Sequence, residues 1–159
     1  MPEHPARFDP YGQLAALDRH RVTYILIGAF ARIVQGTEEL TRGMDIVPST
    51  RTENLRRLGQ ALEDLHARGP GLEEERAVFE FATDRGELKV VPEPAGTRGY
   101  DDLRRAATRQ PLGRGARPSV ASTGDLARMV AALGREHEIP KLLQLRHVME
   151  LERGLVIER

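Results

Sequence analysis

The densest apolar run in the chain is also one of its shortest. Tyr24-Ile25-Leu26-Ile27 lies between Thr23 and Gly28 without a polar interruption. Such a run predicts a strand from about Thr23 to Ile27, buried on both faces. Gly28 and Ala29 follow at once, so a helix can begin where the strand ends. Its first backbone N–H groups would point outward, a geometry that can hold a phosphate. That helix is predicted over Ala29 to Gln35, with Phe30, Ile33 and Val34 toward the core and Gly36 as its stop. Thr37 to Leu40 reads as a polar loop. Met44-Asp45-Ile46-Val47 then alternates as a second strand, with a carboxylate set among apolar side chains.

Upstream, residues 1 to 7 predict a frayed lead. Asp9-Pro10 predicts a helix start, with Asp9 as N-cap and Pro10 in the first helical position. Phe8, Leu14 and Leu17 give that helix its apolar side, and it should end near His20. Downstream, Leu55, Leu58, Ala61, Leu62 and Leu65 recur at threes and fours. They predict an amphipathic helix from Asn54 to Ala67, capped by Thr50 or Thr52. Residues 68 to 76 form a charged loop. Ala77 to Thr83 alternates as a strand, Asp84-Arg85-Gly86 turns, and Glu87 to Val91 returns. A loop over 92 to 99 leads to a short helix from Tyr100 to about Ala107. Residues 108 to 118, rich in Gly, Pro and Arg, predict irregular chain. Ser119 to Ala121 is a short strand, Ser122 or Thr123 caps a helix from Asp125 to Leu133, and Gly134 breaks it. A last helix runs from Ile139 to Glu152, with Leu142, Leu143, Leu145, Val148, Met149 and Leu151 on its apolar side. The pattern predicts an α+β fold: a small mixed sheet covered by helices on one side, with a helical C-terminal section. It reads as one domain over residues 1–159, with a core from about 8 to 107 and a module from about 119 to 153.

Charge narrows the partners. Lys plus Arg and Asp plus Glu stand at 24 each, so the net charge is zero. This argues against bulk electrostatic attraction to nucleic acid and leaves room for a local basic patch. Lysine occurs only at Lys89 and Lys141; every other cation is arginine. The chain has no cysteine, which excludes disulfides and thiolate metal sites and fits a cytoplasmic setting. No window has the roughly 18 apolar residues of a membrane span, so no membrane association is expected. The histidines show no metal-ligand spacing, and no serine stands in a nucleophile motif.

The chemistry enters through one stretch. Gly28-Ala29 after the first strand, followed by Thr41-Arg42-Gly43-Met44-Asp45-Ile46-Val47, resembles the nucleotidyltransferase superfamily (the polymerase-beta-like fold). It is most similar to the small bacterial members linked to toxin–antitoxin systems and antibiotic adenylylation. Tyr100-Asp101-Asp102-Leu103 and the section from Val120 to Glu138 extend the resemblance over about residues 20 to 150. Such proteins carry Gly-Gly or Gly-Ser after the first strand, a Thr-Arg-Asp-x-Asp-apolar signature on the second, and a third carboxylate on a later strand. Here Gly43 stands where the first aspartate is expected. Aligned on Gly86, Lys89 stands where the third carboxylate is expected.

The resemblance implies a definite reaction. Nucleotidyl transfer uses two divalent cations about 3.5–4 Å apart, held by three carboxylates. With Gly43 and Lys89 in two of the three positions, Asp45 is the surviving metal ligand. A lysine beside it is expected to pair with it and fill the metal's place. The leading expectation is therefore a nucleotidyltransferase-fold protein with a degenerate metal site, serving ligand binding or protein interaction, with no cofactor. Gly28, Ala29, Arg32, Thr41, Arg42 and Lys89 are the candidate nucleotide-binding residues. The alternative is an active enzyme that takes Mg2+ and an NTP and moves the NMP to a small molecule, RNA or protein. Asp45 and Glu87 would then be the catalytic pair, since Glu87 lies two residues before Lys89 on the same strand face. A third reading is a non-catalytic component of a toxin–antitoxin or biosynthetic system. A nucleotide and a protein are the candidate partners.

Overall fold

A computed structural model describes residues 6–157 of the chain. Most of the frayed lead expected over residues 1 to 7 lies outside the described residues. Within them, six helices and six strands follow in the order α1 (Pro10–Arg19), β1 (Tyr24–Ile27), α2 (Gly28–Gln35), β2 (Gly43–Pro48), α3 (Thr52–Asp64), β3 (Phe79–Thr83), β4 (Gly86–Val90), α4 (Tyr100–Leu103), β5 (Thr108–Arg109), β6 (Ser119–Val120), α5 (Thr123–Leu133) and α6 (Ile139–Ile157). A 3-10 turn, Glu136–Glu138, precedes α6. The fold is α+β, as the apolar pattern predicts. No described helix is long and apolar enough to cross a membrane.

The strands form one mixed sheet in the order β3-β4-β2-β1-β6-β5. β1 runs antiparallel to β2 and parallel to β6, and β2 runs parallel to β4. All four residues of β1 are buried. Successive side chains point to opposite faces, so both faces of the sheet are covered at its centre. The expectation of helices on one side is corrected here. One face carries Met44, Ile46, Leu88, Val90, Phe79 and Phe81, all buried. Gln13 of α1 donates from Nε2 to the hydroxyl of Thr83 and the carbonyls of Arg85 and Glu87, which fixes α1 on this face. α3 packs against α1. The opposite face receives α2, with α5 packed against α2, and leaves the polar ends of β2 and β4 open to solvent.

Local starts and stops follow the residues. Asp9 caps α1 by accepting from the Gly12 N–H at 3.1 Å, and Ser122 caps α5 by accepting from Asp125 N–H. α3 differs from expectation: Arg51 holds its N-cap position without a side-chain cap, and the helix starts two residues early. Asn54 is consequently free to tie strands together. Its Nδ2 donates to Thr23 O at 2.9 Å and Ser49 O at 2.8 Å, while Oδ1 accepts from Thr23 N–H. α4 ends at Leu103, and part of the stretch expected to be irregular forms β5 against β6. Of the apolar residues expected to line α6 inward, Leu145 is fully buried, but Leu143 and Leu151 face solvent.

Candidate functional site

The side chains that the sequence singles out converge. Gly28, Ala29, Arg32, Thr41, Arg42, Asp45, Glu87 and Lys89 all line one cleft of about 560 Å³. Its floor is the open face of β2 and β4. In register, Gly43 stands opposite Glu87 and Asp45 opposite Lys89. Its far wall is α5, with Leu126, Met129, Val130 and Leu133. One wall is therefore polar and the other apolar.

Asp45 sits at the junction of strand and helix. Gly28 has φ +73°, and a Cβ there would lie 2.4 Å from Asp45 Oδ2. Only glycine lets the turn press against that carboxylate. Burial pushes the Asp45 carboxyl above its ordinary range, and Lys89, Arg32 and Arg135 only partly offset this; Glu138 adds to the rise.

Lys89 does not behave as expected. Its Nζ lies 3.8 Å from Glu80 Oε1 on β3, and no ion pair joins it to Asp45. Asp45 on β2 and Glu80 on β3 flank Lys89 in register, and the ammonium lies within ion-pair distance of Glu80. Glu87 shares the Lys89 face, as alternation requires. It stands opposite Gly43, two residues along the strand, or about 7 Å, from the Asp45 level.

Gly43 is more than a missing carboxylate. A Cβ at this position would lie 2.0 Å from the Glu87 carbonyl oxygen and 2.6 Å from its carbonyl carbon. The backbones of β2 and β4 approach so closely that no side chain fits. Gly43→Asp with Lys89→Asp would therefore not rebuild a carboxylate cage unless β2 and β4 moved apart. Two divalent cations need several carboxylate oxygens around a shared point. The cleft floor offers Asp45, Glu87 two residues away along the strands, a position at Gly43 with no room for a side chain, and the Lys89 ammonium. Among the described residues no group of three His, Cys, Asp or Glu stands close enough to hold a metal ion.

Arg32, a candidate nucleotide-binding residue, is committed elsewhere. The helical period puts Phe30, Ile33 and Val34 inward on α2, yet the fully buried residues there are Ala31 and Arg32. Arg32 donates from Nε and Nη2 to the two carboxylate oxygens of Glu39, both at 2.9 Å, and from Nη2 to Glu138 at 3.1 Å. Burial raises the Glu39 carboxyl, but hydrogen bonds from Arg32 and Thr37 override it and hold Glu39 below its ordinary range. Glu138 Oε1 is buried without a hydrogen-bond partner among the described residues, 3.7 Å from Arg135 Nη1. Arg135, Glu138 and the apolar wall of α5 complete the cleft; the sequence marks the stretch from Val120 to Glu138 only through the resemblance, and its meeting with Asp45 depends on the tertiary fold. Glu39 enters only as the partner of Arg32.

Comparison of the backbone with solved structures decides the fold. The lincomycin-bound lincosamide adenylyltransferase LnuA superposes with a TM-score of 0.65, covering 89% of this chain and 99% of its own, at 14% identity. The chain has the nucleotidyltransferase fold. ANT(2'')-Ia in complex with adenylyl-2''-tobramycin gives 0.60 over 92% of this chain and 90% of its own, at 16% identity. The Thermotoga maritima protein TM1012 gives 0.57 over 99% and 100%, at 15% identity. No family sequence model matches the chain, and no curated protein matches it by sequence. The fold that the Gly28-Ala29 and Thr41-to-Val47 resemblance implies is thus the fold adopted. In this nucleotidyltransferase-fold protein the cleft lies beside the turn from β1 into α2, with Asp45 next to Gly28.

Proposed function

We propose that this protein keeps the nucleotidyltransferase cleft as a ligand-binding site and does not run two-metal nucleotidyl transfer. A nucleotide is the ligand class the reading favours. Its phosphate would meet the start of α2 and the Lys89 ammonium, which acts as a point charge without a metal. The apolar face of α5 would hold the base or a second small molecule. LnuA with lincomycin and ANT(2'')-Ia with adenylyl-tobramycin make a small-molecule partner reasonable. A volume of about 560 Å³ suits a ligand of that size. A protein-interaction role in a toxin–antitoxin or biosynthetic system is the reading to adopt if no nucleotide binds.

The observation that carries the proposal is the backbone contact at Gly43. A site evolving under demand for two metals would not close β4 over the position of its first carboxylate. Calorimetric titration with ATP and GTP, in Mg2+ and in EDTA, tests it. The expected result is binding of equal affinity in both buffers, reduced about tenfold or more in Lys89→Ala. Mg2+-dependent pyrophosphate release that disappears in Asp45→Ala would overturn it in favour of an active enzyme using Asp45 and Glu87.

A further inference from the structure

Residues 103–124 contain five arginines and no acidic residue, in a chain whose total charge is zero. The structure shapes this stretch into a ribbon. Thr108 pairs with Val120 and Arg109 with Ser119. Gln110 N–H donates to Pro118 O and Leu112 N–H to Ala116 O, which carries the pairing out to the tip. Gly113, Arg114 and Gly115 close the tip with φ of +93°, +53° and +78°. One face of the returning strand, Ala116, Pro118 and Val120, is buried against the body, so Arg117 and Ser119 face outward. Arg109 lies on that outward face with Arg117, and its Nη1 donates to Arg117 O at 3.2 Å. Arg114 is held at the tip over the Tyr11 ring, 4.6 Å from its centroid, and the Tyr11 hydroxyl donates to Leu112 O.

None of Arg105, Arg109, Arg114 and Arg117 has a carboxylate within ion-pair distance among the described residues, though Asp18 acts on Arg109 and Asp102 on Arg105 from farther away; Arg104 has a 4.0 Å contact with Asp101. Elsewhere, Arg19, Arg56 and Arg76 are neutralised by adjacent acids. Clustered arginines without direct ion pairs repel one another, and a polyanion sharing the surface relieves that repulsion. The geometry points to a nucleic-acid docking surface: the outward face of the β5–β6 ribbon with Arg109 and Arg117, together with the exposed tip carrying Arg114, grips the phosphodiester backbone. Guanidinium forks match phosphate oxygens two at a time, and a two-stranded ribbon is narrow enough to lie along a strand or in a groove. No aromatic platform accompanies them, so contact is with the backbone and is indifferent to sequence. The surface lies outside the cleft, on the opposite edge of the sheet from β3. It does not depend on what the cleft binds.

Fluorescence anisotropy of the full chain with labelled RNA and DNA single strands of about 20 nucleotides, across a salt series, tests this. Binding should weaken steeply with salt, and Arg109→Gln/Arg114→Gln/Arg117→Gln should flatten the log–log salt slope by about 2 and lower low-salt affinity about 100-fold. Arg19→Gln/Arg56→Gln/Arg76→Gln removes the same charge from ion-paired sites and should change affinity little. All six positions are exposed, and melting curves check that both variants fold. Tight binding of either nucleic acid with this contrast supports the proposal. Equal losses in the two variants, no binding at low salt, or tighter binding to polyglutamate would overturn it, the last in favour of an acidic protein partner.

Discussion

At the scale of single residues, Asp45 and Gly43 set the character of the cleft. A carboxyl raised by burial holds its proton more tightly in the folded chain than in the unfolded one. The folded state then binds more protons, so its stability falls as pH rises through the ordinary carboxylate range and up to the raised value. Asp45→Asn removes that penalty. Denaturant melts should show the Asp45→Asn variant more stable than wild type at neutral pH, with the gap closing below about pH 4. A gap that widens on acidification would mean that Asp45 is stabilised by its cationic neighbours and not burdened by burial. Gly43 makes the complementary case. Gly43→Ala places a methyl against the Glu87 carbonyl, and overpacking of this kind costs about 1–3 kcal/mol or more. Urea unfolding should register that loss. A Gly43→Ala variant as stable as wild type would show that β2 and β4 can part, and would reopen the position to a carboxylate.

Among elements, the link that matters most is the buried charge cluster, because it joins α2, the loop before β2 and the turn that leads into α6. Arg32 and Glu39 show side-chain exposures of 6% and 9%, so removing the cation strands charge away from water. Arg32→Ala should destabilise by about 3–5 kcal/mol, and Arg32→Met with Glu39→Gln by clearly less. Glu39 is held below its ordinary pKa, so its contribution is present above the unfolded value near about 4.3 and fades as pH falls toward the folded one. Thermal melts from about pH 6 down to about pH 3 should show Glu39→Gln lacking this acid-side loss. The cluster also shows what the sequence can and cannot reveal. The turn from Tyr24 into α2 is legible because its signals, an apolar run and then Gly28-Ala29, are adjacent. That Asp45 sits on a strand facing Lys89 and Glu87 follows from period-two alternation once the strands pair. Arg32 turning inward depends on Glu39, seven positions on, and on Glu138, 106 positions away, and no helical period encodes either. β5 is two residues long, too short for any alternation to mark it.

For the molecule as a whole, the open question is whether the stretch from 119 onward is a separate module or part of one core. The sequence suggests a core with an appended helical section. The packing argues for a single cooperative unit, because buried Leu126, Met129, Val130 and Leu145 belong to the same apolar cluster as Leu14, Ile25, Ile46 and Leu88. Leu145 is completely buried, on the last helix of the expected C-terminal module. A leucine in that position loses about 2–5 kcal/mol when cut to alanine. For a chain of this size each kcal/mol moves the melting temperature by about 2–4 °C. Leu145→Ala should therefore lower the Tm by about 4–20 °C. In a single unit that shift appears as one calorimetric peak whose van't Hoff and calorimetric enthalpies agree. Hydrogen exchange in β2 and α5 should then accelerate together, although β2 is far from α6 in sequence. If the peak splits, with α5 and α6 melting first and the sheet persisting, the appended-module view is the correct one. The wall of the cleft formed by α5 would then be a movable element, free to open and close over whatever occupies the floor beside Asp45.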